Sequence, residues 1–471
     1  MRFVLLLSCL VGLASGQTLR VKSANAKSIE LAWTGDTGPV DVERLTAAAP
    51  QKLATTSQDH YEDTTIDRYG AYRYRISAGG HTSNVVIAGA PPAGVQNVAP
   101  VPKDVDPAKY GPATAIAMDE NGDPVIAFEW VDPNGDNDAS DSEIRFVRWD
   151  RAAYKWTLPV KVQTVGDIPS QNLNPVSIGC DPQSGVLAIA TPISDKGAMI
   201  LTSKDHGATW SGAPVAGIAA TVSATAVALA GSKLHAVITS SEGGTNYTTG
   251  PVDDPASWKM ERLPAGAGWK QPHDVNVGLA LPPSAPPVIA WYETQEDGEG
   301  RRFQLWRPGG KVSTVFESKR DASNLALAAG GGKLGLLMGM LLNEKDDEHG
   351  VWYTQSTDGV TWSKPSMLPI DGPRSTNPPL DVTLDSRGRI VAVFGANSGT
   401  DTTGCNFPAL SRSNDGTQWK TCGPGKAEGG NFGPQPATLH AIEAGNDKVY
   451  VLWQEQAENK FKQGVLLWHE H

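Results

Sequence analysis

The most specific structural motif in this 471-residue chain is Ser203-Lys204-Asp205-His206-Gly207-Ala208-Thr209-Trp210. Two shorter relatives lie at residues 356–362, with Asp358 and Trp362, and at residues 413–419, with Asp415 and Trp419. The Ser203 and Asp205 oxygens are suited to accept hydrogen bonds from the backbone of a tight turn, and Gly207 permits a positive φ. The motif therefore predicts a structural hairpin turn whose closing Trp, here Trp210, packs against neighbouring strands.

The motif belongs to a larger unit that occurs seven times after residue 110. Each unit has an inner strand rich in small residues, a Gly/Asp turn, a more apolar strand, a polar loop and then the hairpin. Repeats of about 50 residues with four short strands predict a β-propeller. The seventh unit stops after its third strand, at residues 464–468, so we expect residues 95–98 to supply its fourth strand and close the ring. Six blades with a separate C-terminal hairpin is the alternative.

The N-terminus predicts export from the cell. Arg2 precedes an apolar run over residues 4–13, and Ala14-Ser15-Gly16 is a small-residue cleavage site, so residues 1–16 are interpreted as a signal peptide. A run of this length is too short to span a bilayer. Lipid attachment at Cys9 is the alternative, and a secreted, extracellular or periplasmic location is expected in either case.

A separate strand pattern occupies residues 17–90. Residues 28–33 alternate and end in Trp33, and residues 72–76 place Tyr72, Tyr74 and Ile76 on one face. This pattern predicts a small β-sandwich, followed by a Pro/Gly linker at residues 91–94 and the propeller at residues 95–471. The expected fold class is therefore all-β, with a sandwich followed by a seven-bladed propeller.

Two family resemblances follow from these residues. The stretch from Ser203 to Trp210 has the form of an Asp box, and residues 95–471 resemble the sialidase-like, or Asp-box (BNR repeat), propeller superfamily. Residues 17–90 resemble a fibronectin type III domain, which implies a spacer or binding module. The chain departs from sialidases in its seven predicted blades and in lacking their Phe/Tyr-Arg-Ile-Pro motif, so their catalytic arginines and Tyr/Glu pair have no matching positions here.

The net charge of the chain limits the classes of partner that it is expected to bind. The formal net charge is -11 and there is no Lys/Arg run, which disfavours nucleic acid and anionic membranes. A propeller commonly binds ligands on the face formed by its blade connections, here opposite the Asp boxes. We expect that face to bind a glycan or another extracellular ligand, including a protein, without catalysis. The candidate ligand-binding residues are Asn172, Asn174, Trp269, Lys270, His273, Tyr292, Arg320, Arg374 and Asn377.

Glycoside hydrolysis is the alternative function. It requires two carboxyl groups about 5–10 Å apart, one of them acting as the acid. Asp274, Asp321 and Glu293 are the candidates for that pair.

Two further features concern metal and disulfide chemistry. Residues 132–143 have the oxygen spacing of an EF-hand loop, which makes Asp132, Asn134, Asp136, Asp138 and Glu143 candidate Ca²⁺ ligands, although Asn137 replaces the usual Gly. A solvated acidic loop is the alternative. Cys405 and Cys422 flank a predicted hairpin and are candidates for a disulfide in an oxidising compartment, with two buried thiols as the alternative.

Overall fold

The computed structural model describes residues 17–35, 38–99, 110–131, 141–166, 168, 175–194, 196–218, 221–241, 244–272, 276–283, 285–298, 300–319, 321–343, 348–369, 380–395, 409–422, 439–445, 448–454 and 465–469. The predicted signal peptide lies outside them. The chain divides into two compact units, one comprising the residues up to Pro92 with Trp149–Lys155, and the other Ala93–Arg148 with Trp156–His471.

The first unit is a β-sandwich built from two antiparallel sheets. One sheet has the order β1-β2-β5, and the other has the order β4-β3-β6, with β7 and β8 both paired to β6. Trp33 from the first sheet and Val42, Tyr74 and Ile76 from the second are buried in one core. Alternation of apolar residues in these strands therefore produces the expected sandwich core. The strands are β1 (Thr18–Ala24), β2 (Ile29–Thr34), β3 (Val40–Leu45), β4 (Pro50–Thr56), β5 (His60–Asp63), β6 (Ala71–Ala78), β7 (His81–Thr82) and β8 (Val86–Gly89).

The second unit is an all-β propeller. Its described residues form seven antiparallel sheets of four or five strands. The first four sheets comprise β10 (Tyr110–Met118), β11 (Pro124–Trp130), β12 (Glu143–Asp150), β13 (Lys155–Trp156) and β14 (Val160–Thr164); β15 (Ser177–Cys180), β16 (Leu187–Ile193), β17 (Gly197–Ser203) and β18 (Ser211–Pro214); β19 (Val222–Ala230), β20 (Lys233–Ser240), β21 (Gly244–Pro251) and β22 (Lys259–Arg262); and β23 (Trp269–Lys270), β24 (Gly278–Ala280), β25 (Val288–Gln295), β26 (Arg301–Trp306) and β27 (Ser313–Ser318).

The last three sheets complete the order. They comprise β28 (Ala322–Gly330), β29 (Lys333–Asn343), β30 (Glu348–Ser356) and β31 (Ser366–Met367); β32 (Leu380–Leu384), β33 (Ile390–Phe394), β34 (Ala409–Ser413) and β35 (Lys420–Cys422); and β36 (Leu439–Gly445), β37 (Lys448–Gln454) and β38 (Val465–His469) with β9 (Gly94–Asn97). The pairing of β9 with β38 confirms the predicted closure of the last sheet by residues that precede the first. It satisfies backbone groups that would otherwise form an open edge.

The inner strands contact one another in a closed cycle. Each of β10, β15, β19, β24, β28, β32 and β36 contacts the next, and β36 contacts β10. This is the order that a ring of seven sheets requires. The second strands are rich in apolar residues, and β11 and β33 are buried along their whole length. The sheets therefore bury their middle strands against neighbouring sheets.

The two ends of each sheet carry different connections between strands. In the sixth sheet, Leu380, Phe394 and Ala409 are paired at one end, and Leu384, Ile390 and Ser413 at the other. We call the end at which inner strands begin the loop end, and the end at which Ser413 begins its hairpin turn the Asp-box end. Because every sheet is antiparallel, the connection from its second to its third strand lies at the loop end.

The Asp-box turns are held by their own side chains. Ser203 Oγ donates to Asp205 Oδ1 at 2.8 Å and accepts from Gly207 N at 2.8 Å, while Thr209 N donates to Asp205 Oδ1 at 2.8 Å. In the turn after Ser356, the Ser356 Oγ atom accepts from Gly359 N at 2.8 Å. These bonds satisfy backbone donors that the tight turn would otherwise leave unpaired.

The Trp residues of these turns join neighbouring sheets. Trp210 of the second sheet meets Phe146 of the first with ring centroids 5.3 Å apart, and Trp419 of the sixth meets Tyr353 of the fifth at 5.3 Å. Gly207 has φ +86°, and a Cβ there would lie 2.1 Å from the Phe146 ring. The turn therefore needs glycine both for its backbone conformation and for the space that Phe146 occupies.

Candidate ligand site at the loop end

Polar side chains interrupt the apolar inner strands near the points where these strands begin. They meet in pairs between neighbouring sheets. Ser177 Oγ lies 2.9 Å from Thr225 Oγ1, and Asn276 Nδ2 donates to Asn324 Oδ1 at 2.5 Å. Buried polar groups are costly without partners, so each pair specifies how two adjacent sheets meet.

The third pair is formed by Asp381 of β32 and His440 of β36. Their closest atoms, Asp381 Oδ2 and His440 Nδ1, are 3.9 Å apart. The two carboxylate oxygens also accept backbone hydrogen bonds, from Val382 N at 2.8 Å and from Ala441 N at 3.0 Å. The second of these bonds crosses from the seventh sheet to the sixth, so it fixes the carboxylate at the junction between them.

A cavity of about 140 Å³ lies at the centre of the ring. All seven inner strands, or residues directly beside them, contribute to its wall. The polar lining residues are Ser177, Thr225, Asp381 and His440, and the rest of the wall consists of apolar residues and Gly278. A cavity in which several polar groups converge is a common form of ligand site.

Burial shifts the protonation equilibria of Asp381 and His440 in opposite directions. It raises the pKa of Asp381 to about 7, although the backbone N–H groups of Ala441 and Val382 act to lower it. Burial lowers the pKa of His440 to about 4. At neutral pH the imidazole is therefore uncharged and does not neutralise the carboxylate. Among the described residues, no Lys or Arg forms an ion pair with Asp381.

A second cluster lies at the loop end of the fourth sheet. Arg302 Nε donates to Glu293 Oε2 at 2.6 Å, and the Arg302 guanidinium lies 4.2 Å from the centroid of the Trp269 ring. Trp291 Nε1 and Gln304 Nε2 also donate to the Glu293 carboxylate, both at 3.2 Å. Glu293 is fully buried, so its carboxylate orients Arg302, which in turn supports the half-buried Trp269.

The structure places the other predicted catalytic residues as follows. Asp321 is half exposed and accepts from Arg301 Nε at 2.7 Å. Asp274 lies outside the described residues, so the separation of the predicted carboxyl pair stays a prediction.

The predicted ligand-binding residues are also divided. Lys270 is exposed beside Trp269, whereas Tyr292 is buried against Phe303 with ring centroids 5.9 Å apart. Tyr292 and Glu293 thus serve packing and ion pairing in this structure. The remaining ligand-binding candidates lie outside the described residues, namely Asn172, Asn174, His273, Arg320, Arg374 and Asn377.

Of the candidate Ca²⁺ ligands, only Glu143 is described. Its carboxylate is buried and lies 3.0 Å from Arg145 Nη2 and 2.5 Å from Lys161 Nζ, and the Arg145 guanidinium lies 4.0 Å from the centroid of the Trp130 ring. Asp132, Asn134, Asp136 and Asp138 are outside the described residues. Within the described part of the chain, no three His, Cys, Asp or Glu side chains are grouped to hold a metal ion.

The candidate disulfide lies outside the residues whose side chains are described. Cys405 and the Cys422 side chain fall outside this set, whereas Cys180 is a free thiol whose pKa burial raises to about 12. None of the described helices has the length and apolar character needed to cross a membrane.

The polar pairs of the inner strands were not among the predicted site residues. Their signal in the sequence is one Asp, His, Asn, Ser or Thr within a strand of small and apolar residues, as with Asp381 in β32. Such a residue can be recognised only once the inner strands are known to surround a common axis. The pairing then follows from the ring and not from local sequence.

Comparisons with known proteins address the fold. No protein-family model matches the chain, and no curated protein sequence matches it significantly. The BP39L lectin from Burkholderia pseudomallei is 12% identical, with a TM-score of 0.53, and the match covers 75% of this chain and 94% of the lectin. At that identity the likeness shows the fold alone.

Two enzymes are also similar in structure. An α-L-arabinanase from Penicillium chrysogenum, solved with arabinobiose, is 13% identical with a TM-score of 0.47, and the match covers 81% of this chain and 98% of the enzyme. A Hadza microbial sialidase is 10% identical with a TM-score of 0.42, covering 96% of this chain and 94% of the sialidase. Both scores are too low to carry an argument about function.

Proposed function

We propose that this protein binds a glycan or another polar extracellular ligand at the loop end of the propeller, and that it does not cleave this ligand. The observation that carries the proposal is the central cavity, where polar side chains near the starts of the inner strands line an otherwise apolar wall. The Asp-box turns lie at the other end of the sheets, where their polar atoms are used by the turns themselves.

The distribution of carboxyl groups supports binding over hydrolysis. Glycoside cleavage generally needs two carboxyl groups that flank the scissile bond. Asp381 is the only carboxyl group among the described residues that line the cavity. Glu293 is fully buried and bound to Arg302, and Asp321 is paired with Arg301.

The loop end of the fourth sheet offers a second contact for a sugar. Trp269 is half buried and Lys270 is exposed, and both belong to β23, which pairs with the end of β25. An aromatic ring presents an apolar face to the C–H groups of a sugar, while an ammonium group donates hydrogen bonds to its hydroxyls. Arg302 and Glu293 hold the Trp269 ring in place before any ligand arrives.

The proposal is tested with a glycan array and a panel of chromogenic glycosides. We expect the protein to bind defined glycans and to release no chromophore. Lys270→Ala and Trp269→Ala should weaken binding, by about tenfold where a hydrogen bond from the Lys270 ammonium group is lost. Val360→Ser is the matched control, since Val360 is exposed in an Asp-box turn and this change should leave binding intact.

Two results would overturn the proposal. Turnover of a glycoside that Asp274→Asn or Asp321→Asn abolishes would make the protein a hydrolase. Binding that is lost in Val360→Ser and kept in both loop-end variants would place the ligand at the Asp-box end.

A further inference from the structure

We propose that the Asp381 carboxylate receives a primary ammonium group of the ligand in the central cavity, so that the preferred ligand is an amine-bearing sugar. This inference rests on the proposed function at the loop end. It names the chemical class of the ligand, which the fold alone does not give.

The electrostatic environment of Asp381 favours a positively charged ligand. Asp381 keeps 24% of its side-chain exposure, lines the cavity, and has no Lys or Arg partner among the described residues. Among the described residues, His440 is the ionisable group recorded beside it, and it is uncharged at neutral pH because burial lowers its pKa to about 4. An ionised carboxylate in an apolar wall is costly unless a cation pairs with it. A ligand that brings one positive charge gains an attraction that no described Lys or Arg provides.

The hydrogen-bonding groups that line the cavity favour a ligand that donates hydrogen bonds. Thr225 Oγ1 is 3.0 Å from Pro175 O and 3.2 Å from Ala190 O, so its hydroxyl proton goes to one of these carbonyls. The Ser177 hydroxyl then donates to Thr225, which leaves the lone pairs of Ser177 available. The Asp381 carboxylate lines the same cavity and, when ionised, only accepts hydrogen bonds. A primary ammonium group has three donors and no acceptor, which suits a lining that is rich in acceptors.

The volume of the cavity and its single described carboxylate limit the size and the charge of the group that can enter. A cavity of about 140 Å³ holds a small group, whereas sites that enclose a whole drug-sized ligand span about 300–1,000 Å³. We therefore expect a substituent of the sugar to enter, with the ring remaining at the loop end. With one carboxylate among the described lining residues, a single positive charge is matched, whereas a divalent metal ion would leave excess charge against apolar side chains.

The first experiment uses small cations and the full-length protein. Melting temperatures are measured at pH 8 in amine-free buffer with methylammonium, sodium, potassium or tetramethylammonium chloride at equal ionic strength. We expect methylammonium to stabilise the wild type more than the other three salts. Asp381→Asn should abolish this difference, and Asp254→Asn, which removes an exposed acid outside the cavity lining, should preserve it. Equal stabilisation by all four salts, or greater stabilisation by potassium or sodium, would overturn the inference.

The second experiment separates failure of this inference from failure of the proposed function. Calorimetry compares a glucosamine trimer with the same trimer fully N-acetylated and with a neutral glucose trimer. We expect only the free amine to bind well, and Asp381→Asn to weaken it by about tenfold or more. Binding of the acetylated or neutral trimer that equals or exceeds binding of the amine would overturn the inference while leaving glycan binding intact. If no trimer binds and the glycan array is also negative, the proposed function itself fails.

Discussion

Aspartates at the two ends of the propeller have opposite environments. At the Asp-box end, hydrogen bonds from the Thr209 hydroxyl and backbone N–H, with one from Ser203, lower the pKa of Asp205 to about 2. At the loop end, burial raises the pKa of Asp381 to about 7. Asp205 is exposed and satisfied within its own turn, whereas Asp381 is enclosed by β32, β36 and the cavity. The first arrangement stabilises a turn, and the second leaves a charge for a ligand to neutralise.

The largest expected loss of stability follows substitution of Gly207, and it tests the structural role of the Asp-box end. Gly207→Ala places a Cβ 2.1 Å from the Phe146 ring at a residue with φ +86°. Left-handed strain together with overpacking should cost roughly 2–5 kcal/mol. Thermal and urea unfolding at fixed scan rate and protein concentration measure the loss.

Gly332→Ala is the matched control for that change. Gly332 has φ +74° in a turn at the same end of the fifth sheet, and a Cβ there meets no atom within 4 Å. It should cost only the backbone strain, about 1–2 kcal/mol. Equal losses at the two glycines would show that the contact with Phe146 does not matter.

The next largest change in stability is expected for Asp381→Asn, and it should depend on pH. The folded pKa of about 7 exceeds the unfolded value near 4, so the stability associated with the proton is present below pH 4 and is lost as pH rises through 7. Asp381→Asn removes this loss. The variant should therefore gain stability relative to the wild type between pH 4 and 8, by up to about 4 kcal/mol in the absence of amines.

Melting temperatures of the variant and the wild type across that pH range, in phosphate or acetate buffer, show whether the variant becomes the more stable protein as pH rises. A difference that stays constant from pH 4 to 8 would contradict the raised pKa of Asp381.

A smaller loss is expected at Ser356. The Ser356 hydroxyl is buried and accepts from Gly359 N at 2.8 Å, so Ser356→Ala leaves that N–H unpaired at a cost of about 1–2 kcal/mol. Thr357→Ala changes the exposed neighbouring residue and should have little effect. Chemical unfolding compares them, and ligand binding should be unchanged in both.

The smallest effect concerns acid stability at Asp205. Since its folded pKa is lowered, its contribution is present above the unfolded pKa near 4 and is lost as pH falls through about 2. Asp205→Asn should therefore flatten the decline of melting temperature between pH 4 and 2. If melting temperature falls between pH 4 and 2 as steeply in the variant as in the wild type, other carboxyl groups account for the decline.

The sequence predicts the repeating scaffold better than the site because their determinants differ in range. The turn after Ser203 is specified by eight consecutive residues, and closure by residues 95–98 follows from the incomplete last repeat. The cavity is different, because Asp381 and His440 are 59 positions apart and meet only when the ring is closed. Similarly, Tyr292 and Glu293 are predicted from the sequence as site residues, yet both lie within β25, where Phe303 and Arg302 of the adjacent strand contact them.

Asp381→Asn and Asp415→Asn, compared side by side at pH 7, test most directly whether the loop end binds the ligand and the Asp-box end stabilises the fold. Both remove one carboxylate, and both are measured on an array of neutral, acidic and amine-bearing glycans and by thermal unfolding. Asp381→Asn should weaken binding of amine-bearing glycans by about tenfold or more without melting at a lower temperature. Asp415→Asn should melt at a lower temperature and bind as the wild type does. Retained binding in Asp381→Asn together with lost binding in Asp415→Asn would contradict the account.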